Sequence, residues 1–364
     1  MVKSKLHEYR KSADHAGLHY VTDGVPGISR RRSGKGWSYY DVEGVLITDP
    51  AVRARFKALA IPPAWTEVWI CPDPDGHIQV TARDARGRKQ YRYHPSYRAT
   101  RDQSKFRRML EFSEILPMLR ERVERDLHAD ELTRRQILAT IVRLLEKTLI
   151  RVGNDEYARE NRSYGLTTLR RKHVEIKGAQ LCFSFRGKSG IEHCISVNDH
   201  WLARIVQRCI EIPGHVIFMY LDKFGNRRPI TSDDVNDYLQ AISGREITAK
   251  DFRTWGGTML AAVSLHKMGP ASSRREADRN IVRALDAVAE RLGNTRAVCR
   301  KYYVHPGLLE AYHMGLTAPV PSVLYPRDKR RKISATALRR DEVAVLQFLL
   351  ETAAVDNSSD KSCA

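Results

Sequence analysis

Near residue 100 the apolar residues of this 364-residue chain change their spacing from two to about 3.6, and no single element can satisfy both periods. Between Thr66 and His94 the β-prone runs 67–70, 77–81 and 90–93 are separated by two turn-forming stretches, Asp73-Pro74-Asp75-Gly76 and Ala85-Arg86-Gly87-Arg88. Beyond Arg101, Phe106, Met109, Leu110, Ile115, Leu116, Leu119, Val123 and Leu127 follow a helical period, with Pro117 expected to interrupt or kink it. The pattern predicts an α+β chain: a small antiparallel β-rich domain, then a mostly helical domain carrying a small β-hairpin sheet. Further helices are expected over 133–152 and 154–162, and strands over 168–176, 181–186 and 191–196, with Gly187-Lys188-Ser189-Gly190 as a hairpin tip. Helices dominate 201–315, and a last helix is expected over 336–354. The first thirty-odd residues, including Arg30-Arg31-Arg32, are basic and contain glycine, so they read as an arm and not as a packed element. The expected domains are therefore 1–19, a basic flexible arm; 20–100, the β-rich domain; 101–326, the helical domain; and 327–364, a basic extension that opens with the cluster Arg327–Lys332.

Lys and Arg total 62 against 43 Asp and Glu, a net charge of +19 that calls for a polyanionic partner, with nucleic acid first. The longest uncharged apolar stretch, 259–265, is far short of the ~18–20 residues that cross a bilayer. The charged start, 1–11, has no apolar segment of a secretory signal, so a cytoplasmic location is expected and no membrane partner. Six cysteines contain no C-x-x-C pair, which argues for reduced thiols over zinc ribbons or disulfides. Neither the phosphate-binding G-x-x-x-x-G-K-[ST] nor H-E-x-x-H occurs. Asp73 and Asp75 form a D-x-D pair, but they stand in a Pro-Gly turn where aspartate serves the backbone, so no metal site is assigned.

Three segments place strong phosphate-binding groups or phenols in structured settings. In Ile150-Arg151-Val152-Gly153-Asn154, Arg151 is expected to end an apolar helix at a glycine break, a place where an arginine also serves the helix dipole. In Lys250-Asp251-Phe252-Arg253-Thr254-Trp255-Gly256, Arg253 opens a helix, where its charge opposes the dipole and an anion sharing the site would explain it. The third runs from Gly293-Asn294-Thr295 to Arg300-Lys301-Tyr302-Tyr303-Val304-His305-Pro306, tyrosines beside cations that could equally be packing residues. Phosphodiester cleavage by a tyrosine needs a phenol, cationic forks on the non-bridging oxygens and an acid for the leaving oxygen. Arginine supplies the fork, while lysine on a hairpin can surrender a proton. Arg151, Arg253, Lys188 and Tyr303 match those parts.

These residues resemble, from about Gly27 to Pro306, the type IB DNA topoisomerases of the poxvirus and bacterial group. That family carries an arginine, a hairpin lysine, an arginine in a [KR]-D-[LF]-R-T-[WY]-G setting, and a His or Asn nine residues before the nucleophilic tyrosine. Here they fall on Arg151, Lys188, Arg253, Asn294 and Tyr303. The spacing, and Tyr-x-x-Pro at 303–306, favour Tyr303 over Tyr302. Asn294 stands where many relatives have histidine; its amide can still donate to a phosphate oxygen but adds no charge. Residues 60–66 and 87–93 resemble the family's DNA-clamping cap, which makes Gln90, Tyr91 and Tyr93 candidate base contacts and Lys89 and Arg101 candidate phosphate contacts, unless the tyrosines simply pack on alternate strand faces. Tyr157, the run 163–169 and Lys250 complete the expected DNA-facing set.

The resemblance implies an enzyme that relaxes supercoiled duplex DNA. Tyr303 forms a transient 3′-phosphotyrosyl bond, the broken strand rotates and is religated, and neither ATP, metal nor another cofactor is needed. It also implies a tyrosine recombinase/topoisomerase IB type of catalytic domain and a monomer clamping the duplex. A site-specific tyrosine recombinase shares the catalytic parts, but generally has His where Lys250 stands and lacks the 87–93 motif. An architectural DNA-binding protein would satisfy the charge and leave the ordered residues unexplained.

Overall fold

The computed structural model describes residues 2–129, 132–320 and 338–359. They form two compact units, Met1–Arg107 and Arg108–Ala364. The first contains α1 (Val2–His15), β1 (Ile28–Ser33), β2 (Gly36–Tyr40), α2 (Pro50–Ala58), β3 (Thr66–Ile70), β4 (Ile78–Arg83) and β5 (Lys89–Tyr93). Its strands make one antiparallel sheet in the order β2-β1-β3-β4-β5. Ile28, Phe56, Ile70 and Val80 are its buried apolar centre.

The three expected strands are present, and two more come from the stretch read as an arm. Ile28 is buried at the start of β1, Arg30 is half-buried, and Arg31 and Arg32 are exposed. Arg30 donates to the carbonyls of Ile61, Pro62 and Trp65 and lies 3.9 Å from the Trp37 ring centre, while Arg31 lies 4.4 Å from that of Tyr40. Cation–aromatic contacts across a strand pair thus turn a basic run into sheet. Val2–His15, expected as part of a flexible arm, form the helix α1, whose Ala13 packs with Leu18 and Tyr97.

A 33-residue helix, α3 (Pro95–Leu127), contains the boundary between the two units. It runs unbroken through Pro117, against expectation. Proline there costs about 3 kcal/mol and the hydrogen bond to the Ser113 carbonyl. Phe112, Leu116 and Leu119 are almost fully buried beside it, each contributing about 1.5–3 kcal/mol, which outweighs the loss.

The second unit continues with α4 (Arg134–Thr148), α5 (Asp155–Asn161), β6 (Val174–Lys177), β7 (Gln180–Arg186), β8 (Glu192–Asn198), α6 (His200–Glu211), β9 (Met219–Leu221), β10 (Arg227–Pro229), α7 (Ser232–Ser243), α8 (Ala249–Met268), α9 (Arg274–Leu292), α10 (Arg296–Tyr302), α11 (Pro306–His313) and α12 (Arg340–Ser359). Strands β6, β7 and β8 form an antiparallel sheet, and β9 and β10 a short hairpin. Capped by Thr133, α4 buries ten of its fifteen residues and forms the centre of the core. Of the strand expected over 168–176, only 174–176 enters the sheet, as part of β6. The Thr168 hydroxyl bonds the backbone N–H of Gly165, and the His173 ring accepts from the Arg170 N–H, so local side-chain bonds turn that segment into two 3₁₀ turns. The basic cluster 327–332 lies outside the described residues. The last helix, expected as part of a separate extension, instead packs Val345, Phe348 and Leu349 into the core of the second unit.

Candidate active site

Helix α4 ends earlier than the sequence pattern implied, because Leu149 adopts a left-handed conformation. Arg151 therefore stands in the loop beyond the helix and not at its last turn. That loop is clamped by the 163–169 run: the Leu166 and Thr167 N–H groups donate to the carbonyls of Arg151 and Val152 at 2.9 and 2.7 Å. Gly153, at φ +107°, and Gly165 lie so close that a β-carbon at 165 would sit 2.5 Å from the Arg151 carbonyl. Residues 165–169 are buried, so this part of the run holds Arg151 in place, while Ser163 and Tyr164 are half-buried.

Arg253 is the fifth residue of α8, and its surroundings explain how a guanidinium only 4% exposed is tolerated without a carboxylate. It donates to the carbonyl of Leu149, the C-cap of α4, and at 2.8 Å to that of Leu292, the last residue of α9. Both acceptors lie at the negative ends of helix dipoles. Arg151 uses the same end of α9, donating to the Gly293 carbonyl at 3.1 Å and to Oδ1 of Asn294 at 2.5 Å. Burial and the neighbouring charge of Arg253 pull the Arg151 guanidinium down to about 10, so it remains charged at neutral pH. Burial also lowers Arg253, against the opposing pull of the Tyr303 phenol. Among the described residues neither arginine forms an ion pair with a carboxylate. Nε of Arg253 and Nδ2 of Asn294 are buried donors with no partner among the described residues.

Tyr303 caps the C-terminus of α10, with its ring centre 5.1 Å from the Arg253 guanidinium carbon. Its backbone is gripped by α8. The Thr258 hydroxyl donates to the Tyr303 carbonyl at 3.4 Å and accepts from the His305 N–H at 3.1 Å. Gly257 permits the approach, since a β-carbon there would lie 2.5 Å from the Tyr303 carbonyl oxygen. Gly256 does the same for the Leu149 side chain, at 2.7 Å. Tyr302 is more exposed, beside Lys301.

Arg151, Arg253, Asn294 and Tyr303 are thus brought into one cluster. Lys188 is exposed at the β7–β8 tip, and among the described residues its ammonium makes no ion pair or hydrogen bond. What links its hairpin to the cluster is His193, a residue that sequence reasoning missed. Its ring lies against both Gly187 and Gly293. The signal was a histidine five residues past the hairpin lysine, opposite Phe185 in the strand register.

Lys250 is exposed in the first turn of α8, and Tyr157, 49% exposed, lies on α5. In the first unit, Tyr91 and Tyr93 are stacked on one face of β5 with ring centres 6.1 Å apart, and Tyr93 stacks in turn on Tyr97. Gln90 donates to Asp84 on the opposite face. Lys89 is engaged by Asp23 at 2.5 Å, and Arg101 lies over the Tyr9 ring. Asp73 accepts from the Asp75 N–H and pairs with His19, as a turn aspartate does. Among the described residues there is no group of three or more His, Cys, Asp or Glu that could hold a metal, and no helix long and apolar enough to cross a membrane.

Comparison with protein families divides the chain in the same order as its elements. Residues 36–84 match the model for the N-terminal domain of bacterial DNA topoisomerase IB, and residues 94–317 that for the catalytic core of eukaryotic DNA topoisomerase I. A β-rich unit followed by this catalytic core makes the chain a DNA topoisomerase. The DNA topoisomerase 1B of Acanthamoeba polyphaga mimivirus is 32% identical over 295 residues, covering 79% of this chain and 88% of that protein. The DNA topoisomerase I of monkeypox virus and the DNA topoisomerase 1B of vaccinia virus are each 22% identical over 236 residues, 62% of this chain and 70% of theirs. The chain belongs to the type IB DNA topoisomerase family and acts on DNA.

Proposed function

We propose that Tyr303 is the nucleophile of a metal- and ATP-independent transesterification. The observation that carries this reading is the convergence of Arg151, Arg253 and Asn294 beside one tyrosine, with unpartnered donors and no carboxylate to neutralise the arginines. A pentacoordinate phosphorane bears extra charge on its non-bridging oxygens, and fixed cationic donors in a water-poor site stabilise that state more than the ground state. The Tyr303 Oη forms a bond to phosphorus and loses its proton as the bond from phosphorus to O5′ breaks. Lys188 delivers a proton to O5′, leaving a 5′-hydroxyl and a 3′-phosphotyrosine. Religation reverses each step, so the number of phosphodiester bonds is conserved and no external energy source is required. Catalytic domain architecture of the tyrosine recombinase/topoisomerase IB type, a monomeric state, and DNA contacts by Lys89, Gln90, Tyr91, Tyr93, Arg101, Tyr157 and Lys250 belong to the same reading. Exposed, stacked phenols on β5 support the contacts made by the first unit.

The test is relaxation of supercoiled plasmid in EDTA without nucleotide, with adducts trapped by denaturation. The unaltered protein relaxes both supercoil signs, Tyr303→Phe forms no adduct, and Tyr302→Phe retains activity. An adduct that survives in Tyr303→Phe moves the nucleophile elsewhere. Recombination of paired sites without relaxation would replace this reading with that of a recombinase.

A further inference from the structure

His193 stands in β8 with its ring stacked on Phe185 of β7, centres 5.0 Å apart and planes within 17°. A β-carbon at Gly187 would lie 2.5 Å from its Nε2, and one at Gly293 would lie 2.3 Å from its Cε1. Gly187 immediately precedes Lys188, and Gly293 immediately precedes Asn294 while its carbonyl accepts from Arg151. The imidazole is therefore wedged between the backbone that carries the lysine and the backbone that carries the amide and holds the arginine. With Lys172, Arg186 and Glu192 the ring also lines a cleft of about 440 Å³. Neither ring nitrogen makes a hydrogen bond among the described residues. Partial burial of an imidazole without such a bond costs free energy, so packing is what fixes the ring. Burial, together with the charges of Arg151 and Arg253, lowers its pKa, so the ring is neutral at pH 7 and adds no third cation.

Besides His193, the base of the hairpin tip is held by the Tyr164 N–H, which donates to the Arg186 carbonyl at 2.8 Å. Ser189 and Gly190 are both at positive φ, and the turn closes on itself through the Gly187–Ile191 and Gly190–Gly187 backbone bonds. We propose that His193 is a positioning residue: its ring is the spacer that sets Lys188 against the Arg151–Asn294 pair, and so aligns the proton donor with the departing O5′. This rests on the reading of Lys188 as the general acid.

The experiment is single-turnover cleavage of a duplex carrying either the natural bridging O5′ or a bridging 5′-sulfur at the scissile phosphate. A thiol, with a pKa near ~8.5, leaves without a proton. His193→Ala is expected to slow cleavage of the oxygen substrate about 10- to 100-fold, as misplacement of a catalytic group by about 1 Å does. On the sulfur substrate most of that deficit disappears, while noncovalent DNA affinity stays unchanged. His193→Gln, of similar volume and uncharged, keeps most of the rate and serves where the alanine variant folds poorly. Unchanged cleavage of both substrates by His193→Ala overturns the proposal, as does an equal loss on both, or a Gln variant as impaired as Ala. Lys188→Ala separates the two levels: if sulfur fails to rescue it, the general-acid reading falls, whereas rescue of Lys188→Ala but not of His193→Ala removes the positioning role alone.

Discussion

At the residue scale the site is a study in how buried guanidinium groups are kept charged without being neutralised. Carboxylate partners would satisfy Arg151 and Arg253 but would cancel the field that a phosphorane needs. Helix-terminal carbonyls satisfy some of their N–H groups and leave the positive charge in place. The geometry is that of a planar fork, which lysine does not reproduce. Arg253→Lys is therefore expected to slow single-turnover cleavage by at least about 100-fold, while nitrocellulose-filter binding of DNA changes little. Asn294 supplies a neutral donor already oriented by Arg151. Asn294→Ala is expected to cost about 10-fold in cleavage, the scale of one hydrogen bond to a charged group, about 1.5 kcal/mol.

Elements decide where those residues stand. Helix α8 carries Arg253 near its start and, one turn on, Gly257, where the Tyr303 backbone crosses it. Glycine inside a helix costs about 1 kcal/mol relative to alanine. Gly257→Ala should gain that helix propensity and yet lose stability, because the Tyr303 carbonyl must move; cleavage falls at least about 10-fold, the penalty of a displaced nucleophile. Denaturant melts and cleavage rates on the same variant check both halves. At the far side, α12 anchors the unit through Glu342, which is fully buried. Its carboxylate accepts both Arg120 Nη groups at 2.8 Å, the Arg339 side chain at 2.9 Å, and the Trp255 indole N–H at 3.3 Å, two residues from Arg253. The arginines outweigh burial and hold its pKa below the usual 4.5. Stability from this carboxylate is fully present above pH ~4.5 and is lost as pH falls through the lowered folded value. Glu342→Gln removes the buried charge that faces Arg120 and Arg339 and should destabilise the chain by about 3–5 kcal/mol at pH 7. The difference between this variant and the unaltered protein should narrow in acid, which urea unfolding at pH 7 and near pH 4 measures.

For the whole molecule the governing quantity is charge. An excess of +19 attracts any duplex, and release of condensed counterions makes that attraction fall steeply with salt. Tyr303→Phe, expected to bind without cleaving, isolates this component. Its affinity for a linear duplex is expected to drop about 10³-fold or more between 50 and 200 mM salt, as for six or more phosphate contacts. A shallow slope would mean that most of the basic residues never reach phosphate.

By itself the sequence determined the α+β class, the position of the period change, and the order and spacing of Arg151, Lys188, Arg253, Asn294 and Tyr303, because such patterns are local and chemical. Gly257 was visible as a letter, but its reason is a backbone crossing with Tyr303, 46 positions away. Tertiary structure decided the rest, through contacts that no window of sequence contains. Arg30 and Arg31 became strand because Trp37 and Tyr40 lie across from them. Pro117 stayed helical because buried neighbours outweighed it, and α12 joined the core because Arg120, 222 residues away, pairs with Glu342. His193 carried no motif at all; its place between Gly187 and Gly293 exists only once the hairpin and the end of α9 have met.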